Sequence, residues 1–173
     1  KTWEIVSLSQ NISLIDPNPG GKSEVLGISV ENVGNFPAIV SQNKSAEELP
    51  YKEFLVSIPK IKLDKIKVMV ASNSFEENLA HLPGTPLPGE RGNVFVSGHS
   101  SLSGPLTPTR RAYFAPLPNI KKGDEVYVDA LGQRFTYEVT SLKVVDPKDT
   151  SVIDAPDNGR YLTLMTCVPP GFN

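Results

Sequence analysis

The residues best able to do covalent chemistry are one cysteine and one histidine, each at the end of a predicted strand. Cys167 follows the apolar run 161–166, and His99 follows the run 93–97. A thiolate attacks carbonyl carbons, and a neighbouring imidazolium lowers the thiol pKa and supplies a proton to a leaving amine. The two residues are far apart in the chain, so only the fold can bring them together. The alternative interpretation is that Cys167 is a small buried apolar residue, as single cysteines often are.

Few other patterns in the sequence compete with this pair. Cys167 is the only cysteine, so neither an intrachain disulfide nor a cysteine-based zinc cluster can form. The sequence contains no glycine-rich phosphate loop, no serine nucleophile motif and no catalytic pair of carboxylates. The second histidine, His81 in the run HLPG, is predicted to be a structural or rim histidine and not a second catalyst.

Length and composition exclude several classes of protein. The 173 residues are enough for one domain with a substantial core, and 39% apolar with 21% charged residues is a globular balance. The formal net charge of −2 does not favour nucleic-acid binding. No apolar run is long enough to cross a membrane. The chain begins at Lys1, which we interpret as an excised fragment of a longer protein.

The elements that must position the pair are mostly strands. Many short apolar runs separated by Gly and Pro turns predict a sandwich or a closed barrel. One short helix is predicted at 74–82, with Ser74 as its N-cap. The predicted strands are 3–6, 25–30, 38–40, 54–58, 66–70, 93–97, 125–129, 134–140 and 161–166, with a hairpin turn at 131–133.

Two motifs resemble those of the bacterial sortases. The runs HLPGTPLPGE and GNVFVSGH, which end at His99, are similar to the segment through the catalytic histidine of that family. The run TLMTC, which ends at Cys167, is similar to the family's TLxTC signature. Weaker similarities at 58–61, 122–128 and 144–152 follow in the expected order, so the resemblance covers about residues 55–171.

The resemblance implies a mostly β fold, a closed sortase-type barrel with short helices and long loops. It assigns residues 51–173 to the catalytic barrel, truncated before its last strand, and residues 1–50 to an N-terminal extension. That extension is a stalk, an edge element or a lid. Asp16-Pro17 supplies the first two residues of the lid motif of some pilin-assembling sortases, but the aromatic residue that should follow is missing.

The resemblance also implies an activity, cleavage of an LPxTG-like sorting signal between Thr and Gly. Cys167 would form a thioester with the Thr carbonyl, and His99 would protonate the departing amine. Thr166 would help to orient the substrate and the oxyanion. Val152 and Ile153 are predicted to line the pocket for the Leu-Pro part of the signal. No metal and no cofactor are implied.

The implied partners are a sorting-signal protein and an amine acceptor, either a peptidoglycan precursor or a pilin lysine. No nucleic acid is expected. The implied location is the bacterial cell surface, at the extracellular face of the cytoplasmic membrane, with the anchoring segment outside this chain.

One feature departs from the family pattern. Sortases carry an essential arginine on the strand after the cysteine, and this chain ends at Asn173 before that position. No arginine among Arg110, Arg111, Arg134 and Arg160 matches the motif. We therefore expect an unpaired edge on the barrel and weak or absent activity of the fragment.

Two alternatives remain open. One is another type of cysteine peptidase or an L,D-transpeptidase, but papain-like enzymes place Cys before His and the SHGC motif of L,D-transpeptidases is absent. The other is a catalytically silent surface module that binds sorting-signal peptides or pilins. The reactivity of Cys167 distinguishes this silent module from the enzyme.

Overall fold

Eight strands of the chain form a closed barrel in the computed structural model, and two more form a separate hairpin. The structure describes residues 2–9, 27–33, 36–41, 49–74, 76–100, 111–146 and 148–168, so Asp16-Pro17 and Arg110 lie outside the described residues. The strands are β1 (Thr2–Ser9), β2 (Ile28–Val33), β3 (Phe36–Ser41), β4 (Glu53–Ile58), β5 (Leu63–Met69), β6 (Leu79–His81), β7 (Gly92–Ser97), β8 (Glu125–Ala130), β9 (Gln133–Val145) and β10 (Arg160–Val168). Short 3-10 helices span Pro59–Ile61, Leu117–Asn119 and Ser151–Ile153.

The order of strands around the barrel is β1-β10-β7-β6-β5-β4-β8-β9. Two neighbouring pairs are parallel, β5 with β6 and β7 with β10, and the other pairs are antiparallel. The predicted fold class, a mostly β closed barrel with short helices, is confirmed.

The edge of β10 that we expected to be unpaired is occupied by β1. The pairing runs antiparallel from Thr2 opposite Val168 to Ser9 opposite Tyr161. On its other side β1 pairs with β9, from Trp3 opposite Val145. The expectation of an open edge is therefore wrong, because an N-terminal strand provides the backbone partners that both neighbours need.

The alternation of side chains in β7 and β10 gives the barrel wall two apolar faces. Even-numbered residues such as Val96 and Leu164 enter the barrel core, whereas Phe95 and Met165 face outwards. The outward residues form a second cluster, called here the outer cluster. Its buried members are Ile39, Leu82, Phe95, Ile153 and Met165, and Ile28, Val30, Val145, Val152 and Cys167 pack against them.

The hairpin β2–β3 packs on this outer cluster. Ile39 is 2% exposed within it, and Ala38 packs against Ala80 of β6. At the end of β3, the Ser41 amide donates to the Asn73 side chain (3.0 Å), which donates back to the Ser41 carbonyl (2.9 Å). The hairpin is thus attached to the barrel by apolar packing and by two hydrogen bonds.

The helix predicted at 74–82 is wrong. Leu79, Ala80 and His81 form β6, and each is at most 2% exposed. The segment lies between β5 and β7 and pairs with both. The N-cap and the acidic residues indicated a helix, but a buried place between two strands requires ladder hydrogen bonds, and tertiary context overrides the local preference.

Candidate active site

The parallel pairing of β7 with β10 brings His99 and Cys167 to the same end of the barrel wall. The pairing runs in constant register from Gly92 opposite Arg160 to Ser97 opposite Met165. The amide of Gly98 then donates to the carbonyl of Met165 (3.1 Å), which continues the ladder by one residue. Extended two residues beyond this pairing, the same register would place His99 next to Cys167.

Thr166 holds these two strand ends together. Its hydroxyl donates to the carbonyl of Gly98 at 2.9 Å, and the residue is 2% exposed. This bond fixes the peptide that leads into His99 relative to the residue before Cys167. The position of Thr166 thus suits a role in orienting the two reactive residues.

Gly98 allows the close packing behind His99. A Cβ atom at this position would lie 2.5 Å from Leu79 Cδ2 and 2.8 Å from Phe114 Cδ2, closer than real Cβ contacts. The amide of Phe114 also donates to the carbonyl of His99 (3.0 Å). The backbone around the histidine is therefore held from both sides.

The His99 side chain is nearly buried and faces a carboxylate. The residue is 5% exposed, and its Nε2 lies 3.9 Å from Oε1 of Glu76, whose side chain is 46% exposed. Sequence reasoning missed Glu76, because its sequence position predicted only the first turn of a helix.

Cys167 lies partly exposed at the border of the outer cluster. Its register partner on the other side of β10 is Trp3 of β1. A nucleophile must be held by a rigid strand and still be reachable by a substrate. The half-buried position at the end of β10 meets both conditions.

The predicted pocket wall lies in the same cluster as Cys167. Val152 and Ile153 belong to the 3-10 helix Ser151–Ile153, called here the loop helix, in the segment between β9 and β10. Ile153 is 3% exposed, and Val152 is partly buried. The structure therefore brings the two predicted wall residues and the predicted nucleophile into one apolar surface.

A cavity of about 410 Å³ is lined in part by Ser151 and Val152 of the loop helix. Val145 and Val152 border both this cavity and the outer cluster. The other described residues that line the cavity come from β7, β9, β10 and the segment 149–156. Neither His99 nor Cys167 is among these residues.

Asn93 is a buried polar residue that sequence reasoning missed. It is 3% exposed on β7, and its side-chain amide donates to the carbonyls of Val152 (3.1 Å) and Ile153 (3.0 Å). Its carbonyl oxygen accepts the hydroxyl of Thr163 (2.8 Å). A polar residue at the start of the apolar run NVFV was the available signal.

His81 is structural, as predicted. Its Nδ1 accepts the amide of Ala71 (3.2 Å), and its Nε2 lies 3.0 Å from the Pro86 carbonyl and 2.9 Å from the Thr85 hydroxyl. Because the Thr85 hydroxyl donates to the Leu82 carbonyl (2.8 Å), the Nε2–H tautomer satisfies all partners. Burial lowers the pKa of His81 to about 4.

The arginines with described bonds are used elsewhere. Arg160 donates to the Gly89 carbonyl (2.7 Å), and Arg134 forms an ion pair with Asp129 (2.7 Å). Within the described ranges, no three His, Cys, Asp or Glu residues are grouped as metal ligands. In the same part of the chain, no helix has the length and apolar content needed to cross a membrane.

Comparison with known proteins identifies one family. A family model described as the sortase domain matches residues 56–172. Sortase D of Bacillus subtilis is 29% identical over 116 residues, which are 66% of this chain and 54% of that protein. Sortase A of Streptococcus agalactiae is 26% identical over 163 residues, 90% of this chain and 62% of that protein. The chain thus spans less than two thirds of these relatives.

Solved structures with the same fold are also sortases. Sortase C-1 from Actinomyces oris has a TM-score of 0.60 and 33% identity, covering 75% of this chain and 72% of that one. A pilus-related Sortase C of Group B Streptococcus has a TM-score of 0.61 and 29% identity, covering 73% of this chain and 63% of that one.

Proposed function

Because the chain belongs to the sortase family, we propose that it is a cysteine transpeptidase that cleaves an LPxTG-like sorting signal between Thr and Gly. The observation that supports this proposal is the parallel register of β7 with β10, which runs to Ser97 opposite Met165. Extended by two residues, this register would put His99 beside Cys167, a proton carrier beside a nucleophile.

The proposed reaction has two steps. The Cys167 thiolate attacks the Thr carbonyl carbon, the Thr–Gly amide bond breaks, and His99 gives its proton to the leaving Gly nitrogen. An incoming amine then attacks the thioester carbon, its proton passes to His99, and the thiolate of Cys167 leaves. Bonds and protons balance without a metal or cofactor.

The outer cluster would supply the surface for the apolar part of the signal. Val152, Ile153 and Met165 form an apolar wall that Cys167 borders. A Leu-Pro pair placed against this wall would bury apolar area and bring the following Thr carbonyl to the thiol. In this scheme Thr166 positions the active residues through Gly98.

We propose that residues 1–50 have two roles. β1 completes the barrel, so it acts together with residues 51–173. The hairpin β2–β3 would act as a cover, because Ile39 packs among the residues that we assign to the signal. A bound sorting signal would then have to displace the hairpin.

The partners and the location follow from the family. Sortase family members act at the cell surface, where sorting-signal proteins and amine acceptors are both present. The acceptor would be a peptidoglycan precursor or a pilin lysine, and the similarity to a pilus-related Sortase C supports including pilins in the test. Anchoring at the extracellular face of the membrane is proposed on the same basis.

The experiment is to incubate the full chain with LPxTG-like peptides, with and without an amine acceptor, and to analyse the products by mass spectrometry. We expect an acyl adduct on Cys167 and a low yield of peptide cut after Thr, in keeping with the weak activity expected from the sequence. Cys167→Ala removes the adduct, and His99→Ala lowers the rate by at least about a hundredfold.

A small methanethiosulfonate reagent provides the control for thiol access. Labelling of Cys167 by this reagent, together with peptide binding but no adduct, would overturn the proposal in favour of a silent binding module. If the reagent does not label the native chain at all, the thiol is buried and the enzymatic interpretation is also wrong.

A further inference from the structure

We propose that the buried amide of Asn93 positions the loop helix as a wall of the sorting-signal groove, so that Asn93 controls recognition of the signal and not the chemistry at Cys167. This inference rests on the proposed function. Asn93 is a positioning residue in this scheme, because it acts through the loop helix.

The first argument is that the amide of Asn93 is fully used between three partners. Both hydrogens on Nδ2 go to backbone carbonyls, Val152 at 3.1 Å and Ile153 at 3.0 Å. Oδ1 accepts the hydroxyl of Thr163 at 2.8 Å. The reversed amide would point its oxygen at two carbonyl oxygens, so only one orientation fits.

The second argument is that the loop helix needs this partner. A 3-10 helix of three residues leaves its last carbonyls without N–H donors inside the helix. The Asn93 amide satisfies two of these carbonyls from the outer face of β7, 59 and 60 positions away in the sequence. Because one of these bonds is buried and the other partly buried, breaking them leaves polar groups without partners.

The third argument concerns what the bonds hold in place. Asn93 and Thr163 lie on the adjacent strands β7 and β10, whose ends carry His99 and Cys167. Val152 and Ile153 reach the outer cluster only if the helix stays against these strands. The Asn93 amide therefore ties the wall of the groove to the strands that carry the reactive residues.

The test uses Asn93→Asp, which keeps the side-chain size but removes both donors, in the full chain. We expect the KM for an LPxTG-like peptide to rise by at least about tenfold, with kcat within about threefold of the parent. Labelling of Cys167 by a small methanethiosulfonate reagent should change by less than about twofold. If Asn93 were needed only for folding, Asn93→Asp would lower kcat through a smaller folded fraction and would leave the KM unchanged.

Thr163 variants provide a second, milder test if Asn93→Asp folds poorly. Thr163→Ser keeps the hydroxyl donor and should retain the parent KM, whereas Thr163→Val should raise it. The matched control is Asn158→Asp, the same change at an exposed residue of the same segment, and it should leave the KM unchanged.

Hydrogen exchange separates this inference from the proposed function. Within the loop helix, the amides of Ile153 and Asp154 donate to the carbonyls of Thr150 and Ser151. Asn93→Asp should accelerate the hydrogen exchange of these two amides by at least about tenfold, while the amides of β10 stay protected. If this occurs but the parent chain processes no peptide, the positioning role stands and the proposed function is wrong. Unchanged exchange, or an unchanged KM in an active enzyme, overturns the inference.

Discussion

At the scale of single residues, location and not burial distinguishes the two histidines. His81 is 1% and His99 is 5% exposed, but His81 has both ring nitrogens bonded inside the β6 region, whereas His99 follows the end of β7, the strand that pairs with β10. The sequence predicted different roles for them because only His99 follows a predicted strand. The bonds of His81 to Thr85 and Pro86 depend on the path of the loop and could not be predicted.

The burial of His81 predicts a pH dependence of stability. Its pKa in the folded chain is about 4, below the unfolded value of about 6.5, so the unfolded chain binds more protons between these values. The contribution of His81 to the free energy of unfolding is therefore fully present above pH 6.5. It decreases by on the order of 3 kcal/mol as the pH is lowered towards 4. Thermal unfolding from pH 7 to 4 measures this loss.

The His81→Gln variant provides the comparison, because it lacks the titrating ring. The variant is expected to be less stable than the parent at pH 7, but the difference should shrink as the pH falls. Parallel curves for the two proteins would show that His81 does not titrate in this range.

At the scale of elements, the strands that carry the candidate site were the easiest to predict. β7 and β10 are apolar runs bounded by turns, and the β8–β9 hairpin has Leu131 and Gly132 at its turn, both with positive φ (49° and 75°). By contrast, β6 has only three residues and depends on its two neighbours. The packing of β2–β3 on the outer cluster is long-range and left no periodic signal in the sequence.

The hairpin β2–β3 leads to a prediction about access to Cys167. Ile39 is 2% exposed in the outer cluster, and replacing it by Ser removes packing worth about 2–4 kcal/mol. If the hairpin covers the groove, Ile39→Ser should increase the rate at which a peptide-sized reagent labels Cys167 several-fold. The rate with a small methanethiosulfonate reagent should change less.

Glu31→Ser is the matched control, because Glu31 is an exposed residue of the same hairpin. It should leave both labelling rates unchanged. Slower labelling of Ile39→Ser with the peptide-sized reagent would mean that the hairpin supports the groove and does not cover it.

At the scale of the whole molecule, the barrel is closed by the two ends of the described chain. β1 begins at Thr2 and pairs with β10, which ends at Val168. Local patterns predicted a strand near Trp3, but not its partners, because the choice between free edges depends on the complete barrel. β1 therefore has neighbours on both sides and contributes to the support of the Cys167 strand.

This closure predicts that a proline inside β1 weakens the barrel next to the candidate site. Ile5 lies opposite Met165 of β10 and Lys143 of β9, and a proline there removes a ladder donor from a strand with two neighbours. Ile5→Pro should lower the unfolding free energy by about 1–3 kcal/mol, because a ladder acceptor loses its donor, and accelerate exchange of the β10 amides. It should also promote association, because the released edges of β9 and β10 can pair with another chain. Ile5→Val keeps the donor and a β-branched side chain, so it should keep the parent's oligomeric state and near-parental exchange. Parental exchange of β10 in Ile5→Pro would mean that β1 does not support the cysteine strand in solution.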